Sequence, residues 1–348
     1  MIQAAQIQES RIQESRIHES RIRRELTDLL PQASFVRHRA IAVLLPCLNE
    51  EATIGQVVAE FRRVLPGATV YVYDNNSTDR TAAVAAAAGA VVRRERRPGK
   101  GNVVRRMFAD IEADLYVLAD GDLTYDAAAA GRLIDALVTE QVDMVVGARA
   151  GSGDAFARGH RFGNWLFNRL VTHLFGDGFT DILSGYRVVS RRFAKSFPAS
   201  SSGFEIEAEL SVHALDLRLA AVEIPLPYRS RPEGSASKLS KWRDGARILG
   251  KIALMYKAVR PLRFFGALAA LLAATGLLLG LPVAATFLET GLVPRLPTAV
   301  LAAALMQLAF MSLTCGIIVD AVGASQREFK RMRYLDLPAP EAPRGAEP

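Results

Sequence analysis

Short apolar runs alternate with amphipathic stretches from residue 41 to about residue 146. A run that is apolar throughout is typical of a strand buried on both faces. Apolar residues spaced by three and four positions predict a helix after each run. The predicted strands are Ile41–Leu45, Thr69–Tyr73, Ala90–Arg93, Leu115–Ala119 and Asp143–Val146. This alternation predicts an α/β fold with a mostly parallel sheet, in which ligands bind beyond the carboxyl ends of the strands.

Two long apolar runs near the C-terminus, Phe264–Leu288 and about Leu296–Ala324, exceed the roughly 20 residues that a helix needs to cross a bilayer. Their connector, Glu289–Arg295, is short, so we expect a hairpin. Basic residues are more numerous at the outer ends of the hairpin than in its connector, which predicts that both termini lie in the cytoplasm. These residues are Lys257, Arg260, Arg263, Arg327, Lys330, Arg331 and Arg333. The alternative is a pair of buried helices in a soluble protein.

Three further segments complete the predicted domain organisation. An N-terminal pentapeptide repeat matches neither the helix period nor the strand period and predicts a mobile arm at 1–37. Segment 156–175 is amphipathic, as expected of either a core helix or a helix at a membrane surface. A basic amphipathic segment at 238–263 precedes the first span and predicts an interfacial helix. The other predicted parts are a catalytic domain at 38–237, two transmembrane helices at 264–324 and a cytoplasmic tail at 325–348.

The net charge of +7 indicates a polyanionic partner, and nucleic acid, anionic lipid and phosphorylated substrates all qualify. The basic residues concentrate beside the two spans, and no nucleic-acid-binding module is recognisable. We therefore expect no nucleic acid as a partner. The two cysteines, Cys47 and Cys315, cannot build a disulfide framework or a thiolate metal site, which suits a reducing compartment.

Two carboxylates follow the fourth predicted strand, in the sequence Asp120-Gly-Asp122. Carboxylates two residues apart at the end of a strand can converge on one cation, and oxygen ligands of this kind suit Mg²⁺ or Mn²⁺. Such a cation would neutralise the charge that develops on a departing diphosphate. The same residue types are common in solvated turns. The main indication of a cation site is therefore the position of the two aspartates directly after a core strand.

Two other polar motifs also follow strands, Pro46-Cys-Leu-Asn-Glu-Glu51 after the first and Asp74-Asn-Asn-Ser-Thr-Asp79 after the second. Short polar side chains in these positions cap the following helix, which explains several of them without any ligand. Capping explains Asp74 less well, because a carboxylate at the end of a buried strand is costly unless it is paired.

Together with Pro98-Gly-Lys100-Gly, these motifs resemble the family 2 glycosyltransferases of GT-A fold. Three more motifs are similar to the branch that contains dolichol-phosphate mannose synthase and the bacterial polyprenyl-phosphate glycosyltransferases. They are Asp181-x-x-Ser184-Gly-Tyr-Arg187, Gly203-Phe-Glu-Ile-Glu207 and Arg231-Pro-Glu-Gly-Ser-x-Ser237-Lys-Leu. The resemblance covers about Ile41 to Arg260, and the two-span hairpin recurs in that branch. It implies a GT-A, Rossmann-like domain with amphipathic interfacial helices and a C-terminal transmembrane hairpin.

The resemblance also implies roles for the matched residues. Asp120 and Asp122 would meet the ribose, the diphosphate and a Mg²⁺ or Mn²⁺ ion. Arg187, Arg231 and Lys238 would hold phosphates, including that of the acceptor. The remaining candidates for the nucleotide and phosphate pocket are Pro46, Asn49, Glu50, Asp74, Asn76, Asp79, Lys100, Arg149, Ser184 and Ser237.

The implied activity is an inverting transfer of a hexose from a UDP- or GDP-linked sugar to a polyprenyl phosphate, undecaprenyl or dolichyl, at the cytoplasmic face of the inner membrane. An acceptor phosphate is ionised near neutral pH and needs no strong general base. Segment Leu123–Asp126 departs from the version found in the mannose synthases, which leaves the donor sugar open. The role of Glu205 and Glu207, in catalysis or in orienting arginines, and the formation of a homo-oligomer also stay open.

Three alternatives compete with this interpretation. A processive polysaccharide synthase would share the sheet, but it usually carries a Gln-x-x-Arg-Trp motif and more spans than this chain has. A nucleotidyltransferase would need a glycine-rich phosphate loop after the first strand, where Pro46-Cys-Leu-Asn49 stands. A catalytically inactive membrane scaffold would not need to keep both Asp120 and Asp122.

Overall fold

The computed structural model describes residues 39–150, 179–227 and 259–340, together with Gly250, Leu254, Tyr256 and Lys257. The predicted arm at 1–37, the amphipathic segment 156–175 and most of the predicted interfacial helix at 238–263 lie outside the described residues.

Strands and helices alternate through the first described part of the chain, as the apolar periodicity predicts. The strands are β1 (Ile41–Cys47), β2 (Thr69–Asp74), β3 (Val91–Arg94), β4 (Leu115–Leu118), β5 (Met144–Ala150), β6 (Arg187–Ser190) and β7 (Ala221–Pro227). The helices are α1 (Ile54–Val64), α2 (Thr81–Ala87), α3 (Lys100–Asp110), α4 (Ala130–Thr139), α5 (Arg191–Ser196), α6 (Ile206–Leu217), α7 (Pro261–Thr290) and α8 (Leu296–Leu335).

The strands form one sheet in the order β3-β2-β1-β4-β6-β5-β7. Both β2 and β4 run parallel to β1, one on each side of it. Strand order therefore reverses between β1 and β4, and ligands of open α/β sheets bind beyond the carboxyl ends of the strands at such a reversal. The polar motifs after β1, β2 and β4 all lie at this edge.

Strand β6 is an antiparallel member that local periodicity did not predict. It lies between β4 and β5, and its Arg187 pairs with Leu118 on one side and Val146 on the other. Because β6 runs in the opposite direction, its first residue lies at the edge where β4 and β5 end. The preceding loop, which contains Ser184 and Gly185, is thereby brought beside Asp120.

Both faces of the sheet are covered, because successive residues of the central strands alternate between two apolar clusters. Val43 and Val117 face a cluster with α1 and α4, whereas Leu44 and Tyr116 face a cluster with α3, α5 and α6. The alternation follows the two-residue period of a strand. A sheet packed on both faces holds the loops at its carboxyl edge in fixed positions.

Helices α7 and α8 form the predicted hairpin. The buried residues along their contact are mostly small and recur every seven positions: Ala269, Gly276 and Val283 in α7, and Ala302, Ala309, Gly316 and Gly323 in α8. A Cβ atom on Gly316 would lie 2.9 Å from Phe265 Cβ, and Ser312 Oγ donates a hydrogen bond of 3.0 Å to the Phe265 carbonyl. Small residues let two helices approach closely where the outer surface is apolar.

Both helices are long and apolar enough to cross a membrane, with mean hydropathies of 2.2 and 2.0. Large apolar side chains such as Leu278 and Phe310 point outward and are exposed. At about 1.5 Å per residue, the 40 residues of α8 extend roughly 60 Å, about twice the hydrocarbon thickness of a bilayer.

The sequence places the end of the second span at Ala324 and a tail at 325–348, but α8 continues without a break to Leu335. The part of α8 after Ala324 contacts the α/β domain. Lys330 Nζ lies 3.5 Å from Asp216 Oδ2 in α6, and Tyr334 hydrogen-bonds Asp143 before β5. Residues up to Leu335 thus join the hairpin to the α/β domain.

Candidate active site

The loops after β1 and β2 hydrogen-bond each other along the carboxyl edge of the sheet. Asn49, which has a φ of 51°, receives a bond from the Thr78 amide at its Oδ1, 2.8 Å away. The Glu50 amide donates to Thr81 Oγ1 at 2.8 Å. Asp79 accepts bonds from the amides of Thr81 and Glu51. Asn49 and Asp79 thus fix the two loops to each other, whereas the residues that precede α1 and α2 directly, Thr53 and Arg80, make no side-chain capping bond.

Asp74 ends β2 with its Oδ1 3.2 Å from the Ser77 amide. The next residue, Asn75, was not among the candidates, yet its side chain holds the loop before α3. Its Nδ2 donates to the carbonyls of Glu95 and Arg97, and its Oδ1 accepts from the Gly99 amide. Asn76 makes a weaker link of the same kind, from Nδ2 to the Arg96 carbonyl at 2.9 Å.

Asp120-Gly-Asp122 follows β4 at the reversal point of the sheet. The middle residue must be small here, because a Cβ atom on Gly121 would lie 2.7 Å from Cys47 Sγ. Thr53 Oγ1 donates a hydrogen bond of 2.7 Å to the Gly121 carbonyl. The start of α1 therefore fixes the backbone between the two carboxylates.

The residues around Asp122 fit a divalent cation by their chemistry. Asp122 is 2% exposed, and its Oδ1 accepts bonds from Thr124 N at 3.2 Å and Thr124 Oγ1 at 2.5 Å. The carboxylate of Asp122 and the hydroxyl of Thr124 are oxygen ligands, the type that Mg²⁺ and Mn²⁺ prefer. Among the described residues, no group of three or more His, Cys, Asp or Glu side chains could hold a metal. Mg²⁺ usually keeps several waters and shares its other positions with substrate phosphates, which suits a cation held by Asp120 and Asp122.

Lys100 is aimed at this site by the two glycines that flank it. Gly99 has a φ of 118°, and Cβ atoms on Gly99 and Gly101 would lie only 2.1 Å from the Ser202 carbonyl and 2.3 Å from the Ser201 carbonyl. Only glycine allows this approach. The N-terminus of α3 is thus pressed against residues 201–202, and Lys100 extends toward Asp120.

The Lys100 ammonium lies between two carboxylates, at 2.5 Å from Asp120 Oδ1 and 2.5 Å from Glu207 Oε1. Burial alone would lower the pKa of Lys100, but the charges of Asp120 and Glu207 outweigh burial and raise it. Glu207 Oε2 is buried and accepts no hydrogen bond from a described residue. One lysine therefore compensates two carboxylates, and Glu207 pairs with a lysine where the sequence suggested an arginine.

The loop before β6 closes the site on the side of β5. Arg149 donates from Nε and Nη2 to the Asp181 carboxylate, at 2.7 and 2.6 Å. Burial raises the pKa of Asp181, but the bonds and charge of Arg149 outweigh burial and lower it. Ser184 Oγ donates to the Gly147 carbonyl at 2.6 Å. A Cβ atom on Gly185 would lie 2.8 Å from Asp120 Oδ2, so a larger residue would displace that carboxylate.

Two comparisons with known proteins give the family. The sequence model described as glycosyl transferase family 2 matches residues 42–197. Glycosyltransferase AglJ of Haloferax volcanii is 35% identical over 301 residues, which are 85% of this chain and 98% of that protein. The chain belongs to glycosyltransferase family 2. As a member of this family it is a hexosyltransferase that uses a nucleotide sugar donor, as the motifs predict.

Two more proteins resemble this family 2 glycosyltransferase. The dolichyl-phosphate hexose transferase of Haloferax volcanii is 30% identical over 210 residues, 60% of this chain and 90% of that protein. Glucosyl-3-phosphoglycerate synthase of Mycobacterium tuberculosis is similar in structure, with a TM-score of 0.53 and 26% identity over 64% of this chain and 82% of that one. The GT-A fold predicted from the motifs is confirmed.

The side chain of Arg187 is buried in the glycosyltransferase, although the resemblance implies that it holds a phosphate. Its side chain is 0% exposed and donates to the carbonyls of Ser184 and Ile182 and to Ser211 Oγ. Burial lowers the pKa of Arg187 to about 10. A phosphate ligand needs an exposure that Arg187 does not have here, because the guanidinium lies within the core beneath the site and supports the loop before β6.

The other predicted residues divide into two groups. Pro46, Lys100, Ser184 and Glu207 line one small cleft of the glycosyltransferase, and the buried Arg187 borders the same cleft. Arg231, Ser237 and Lys238 lie outside the described residues. The sequence analysis did not single out Thr53 and Asn75 as site residues. The signal that could have found them is a polar side chain after a strand, as in the recognised motifs.

Proposed function

We propose that this glycosyltransferase transfers a hexose from a nucleotide diphosphate sugar to a polyprenyl phosphate at the cytoplasmic face of the inner membrane. The observation that carries the proposal is the rigid link between the site-bearing domain and an exposed apolar hairpin. Lys330 and Tyr334 of α8 contact α6 and the start of β5. A lipid-linked acceptor is the substrate class that such an attachment serves.

The donor binds over the carboxyl ends of β1, β2 and β4. Pro46, Glu50 and Asp74 surround the nucleoside, and Asp120 lies toward the diphosphate. The relative glucosyl-3-phosphoglycerate synthase has a crystal structure in complex with UDP, with a TM-score of 0.52 and 25% identity to this chain. That likeness supports a UDP-linked donor, and a GDP-linked donor is the alternative.

The acceptor is a polyprenyl phosphate, undecaprenyl or dolichyl. The name of the Haloferax volcanii dolichyl-phosphate hexose transferase supports this class, and so does the exposed apolar surface of α7 and α8. Arg231 and Lys238 hold the acceptor phosphate, as the resemblance implies. The hairpin crosses the membrane twice, with both chain termini in the cytoplasm.

The residues of this chain work mainly by positioning charge. The acceptor phosphate is already ionised near neutral pH, so attack on the anomeric carbon needs no strong base, and the attack is in line and inverting. Lys100 holds Asp120 in place from the side of α3, and the Thr53–Gly121 bond fixes the backbone of the carboxylate pair. Mg²⁺ or Mn²⁺ on Asp120 and Asp122, when bound, stabilises the leaving diphosphate.

The test uses the full chain in uncharged detergent with a panel of radiolabelled UDP- and GDP-sugars. We expect one sugar to enter the organic phase when undecaprenyl or dolichyl phosphate is present, and EDTA to stop the transfer. Asp122→Asn removes the transfer, whereas Asp135→Asn, on α4 away from the site, makes the same charge change and leaves it intact.

Two results would contradict the proposal. One is transfer to a water-soluble acceptor such as phosphoglycerate in preference to any polyprenyl phosphate. The other is full activity of Asp122→Asn with an unchanged melting temperature. Chain elongation of a saccharide acceptor would instead favour a polysaccharide synthase.

A further inference from the structure

A second polar cavity lies at the far end of α6 from the active site. It has a volume of about 380 Å³ and is bounded by the end of α6, the start of α7 and the part of α8 that follows its apolar stretch. Its charged lining residues are Arg218, Arg260, Arg327, Arg331, Asp216 and Glu328. Glu207 borders the active site in the first turn of α6, so most of the helix, roughly 16 Å, separates the two sites.

The charges in this cavity are unbalanced. Asp216 already pairs with Lys330 at 3.5 Å. Within the described part of the chain, Arg218, Arg260 and Arg331 form no ion pair. The cavity is thus lined by four arginines against two acidic residues, Asp216 and Glu328. Arginines without a carboxylate partner suit a phosphate group, because the guanidinium fork matches two phosphate oxygens.

Arg218 occupies a position that normally belongs to glycine. It ends α6 in the left-handed conformation, with a φ of 54° and a ψ of 43°. The amides of Arg218 and Leu219 bond back to the carbonyls of Leu215 and Ala214, which is the helix-end motif that favours glycine. An arginine is strained there, and the favourable interaction of its charge with the helix C-terminus offsets only part of that strain.

The position of the cavity along the hairpin, next to the end of its apolar surface, indicates that the phosphate belongs to a lipid headgroup. Arg260 immediately precedes α7, whose exposed apolar side chains begin at Leu262. On α8, Val322 is the last exposed large apolar side chain before the first arginine, Arg327, and beyond it the only exposed large apolar side chains are Phe329, Met332 and Leu335, which lie among charged residues. If the hairpin spans the bilayer, as the proposed function requires, these arginines lie at headgroup depth on the cytoplasmic side. Basic pockets between membrane helices on that side bind anionic headgroups.

We propose that this cavity binds the phosphate headgroup of an anionic phospholipid and thereby fixes the catalytic domain against the membrane surface. The recognised group is the phosphate diester, held by Arg218, Arg260 and Arg331. The site is separate from the one that takes the acceptor and the donor, and it takes no part in the transfer.

The experiment titrates phosphatidylglycerol, phosphatidylcholine or soluble glycerol phosphate into the full-length protein in an uncharged detergent, with binding read by native mass spectrometry. We expect retention of phosphatidylglycerol in preference to the other two. Arg218→Gly and Arg331→Gln each weaken its binding by about 5-fold. Arg218→Gly also keeps or raises the melting temperature, because glycine suits the left-handed position.

Arg333→Gln is the matched control. It makes the same charge change on the same end of α8, but Arg333 lies outside the cavity and pairs with Asp336 at 3.9 Å. The proposal is overturned if phosphatidylcholine or glycerol phosphate binds as tightly as phosphatidylglycerol, or if Arg218→Gly and Arg331→Gln bind like Arg333→Gln. Sugar transfer to polyprenyl phosphate is measured in parallel, so a failure of the proposed function is read separately from a failure of this site.

Discussion

Tyr334, near the end of α8, donates a hydrogen bond of 2.7 Å to Asp143 Oδ2 at the start of β5. Asp143 is 1% exposed and also accepts bonds from Arg192 and Ser190. The Arg192 guanidinium lies 4.6 Å over the Tyr334 ring. The buried carboxylate of Asp143, which accepts hydrogen bonds on both oxygens, thus joins the apolar hairpin to the sheet.

Tyr334→Phe tests this attachment. The change removes a hydrogen bond to a charged group, which contributes about 1.5–3 kcal/mol. We expect a lower melting temperature and faster tryptic cleavage after Arg331 and Arg333. Tyr71→Phe is the control, because the Tyr71 hydroxyl makes no hydrogen bond within the described residues. Equal behaviour of the two variants would mean that the bond to Asp143 does not hold the helix.

Lys100→Met should strongly destabilise the protein, by about 3–5 kcal/mol, because the buried carboxylate of Glu207 would lose its ion pair with Lys100 and would still lie near Asp120. Adding Glu207→Gln should recover much of the melting temperature by removing one of the two charges. Transfer should stay low in both variants, whereas Lys100→Arg should retain part of it.

The control for this series is Arg106→Met. Arg106 pairs with Asp110 on the exposed face of α3, and exposed pairs of this kind contribute little to stability. We expect an unchanged melting temperature. Failure of Glu207→Gln to improve on Lys100→Met would show that charge repulsion is not the cause of the instability.

Gly121→Ala should displace the carboxylate pair, because its new Cβ atom would lie 2.7 Å from Cys47 Sγ. We expect a loss of stability of about 1–3 kcal/mol from overpacking, together with a higher requirement for divalent cation. Cys47→Ala removes the obstructing sulfur, so the double variant should regain stability. A double-mutant cycle on the free energy of unfolding measures the coupling, and strictly additive effects would rule out the steric explanation.

His213 predicts a pH dependence of stability. It lies between Phe193 and Phe197, and burial, with a smaller contribution from Lys330, lowers its pKa to about 3. Between that value and about 6.5 the unfolded chain binds a proton that the folded chain does not, so stability falls as the pH falls through this window. The loss at pH 5 is about 2 kcal/mol.

Denaturation midpoints at pH 7.5 and pH 5 provide the measurement. His213→Gln should flatten the difference between the two midpoints, since glutamine does not titrate. An unchanged difference in this variant would assign the pH dependence to other groups.

The elements predicted most accurately from the sequence are those with a local signal. The strands β1, β2 and β4 and the helices after them follow from unbroken apolar runs and three-to-four spacing, and the polar motifs fall at the carboxyl edge as expected. The sequence predicts where the second span ends but not that the helix continues beyond it to Leu335, where Lys330 and Tyr334 contact Asp216 and Asp143.

The arrangement of the site depends on contacts between distant residues, which local patterns do not contain. Lys100 meets Glu207 only because the glycines around it allow α3 to pack against residues 201–202. The burial of Arg187 has a related cause. The resemblance implies that Arg187 holds a phosphate, whereas the place of Arg187–Ser190 between two core strands buries its side chain.

The position of β6 also affects the order in which the newly made chain can fold. Strands β1 to β4 are neighbours in the sheet and can associate as soon as they leave the ribosome, with only the outer edge of β4 waiting for β6. β5, by contrast, has β6 and β7 as its neighbours, so residues 144–150 have no partner until residue 190 has been synthesised. During that interval an apolar strand lacks its neighbours, and such unpaired edges are prone to aggregation.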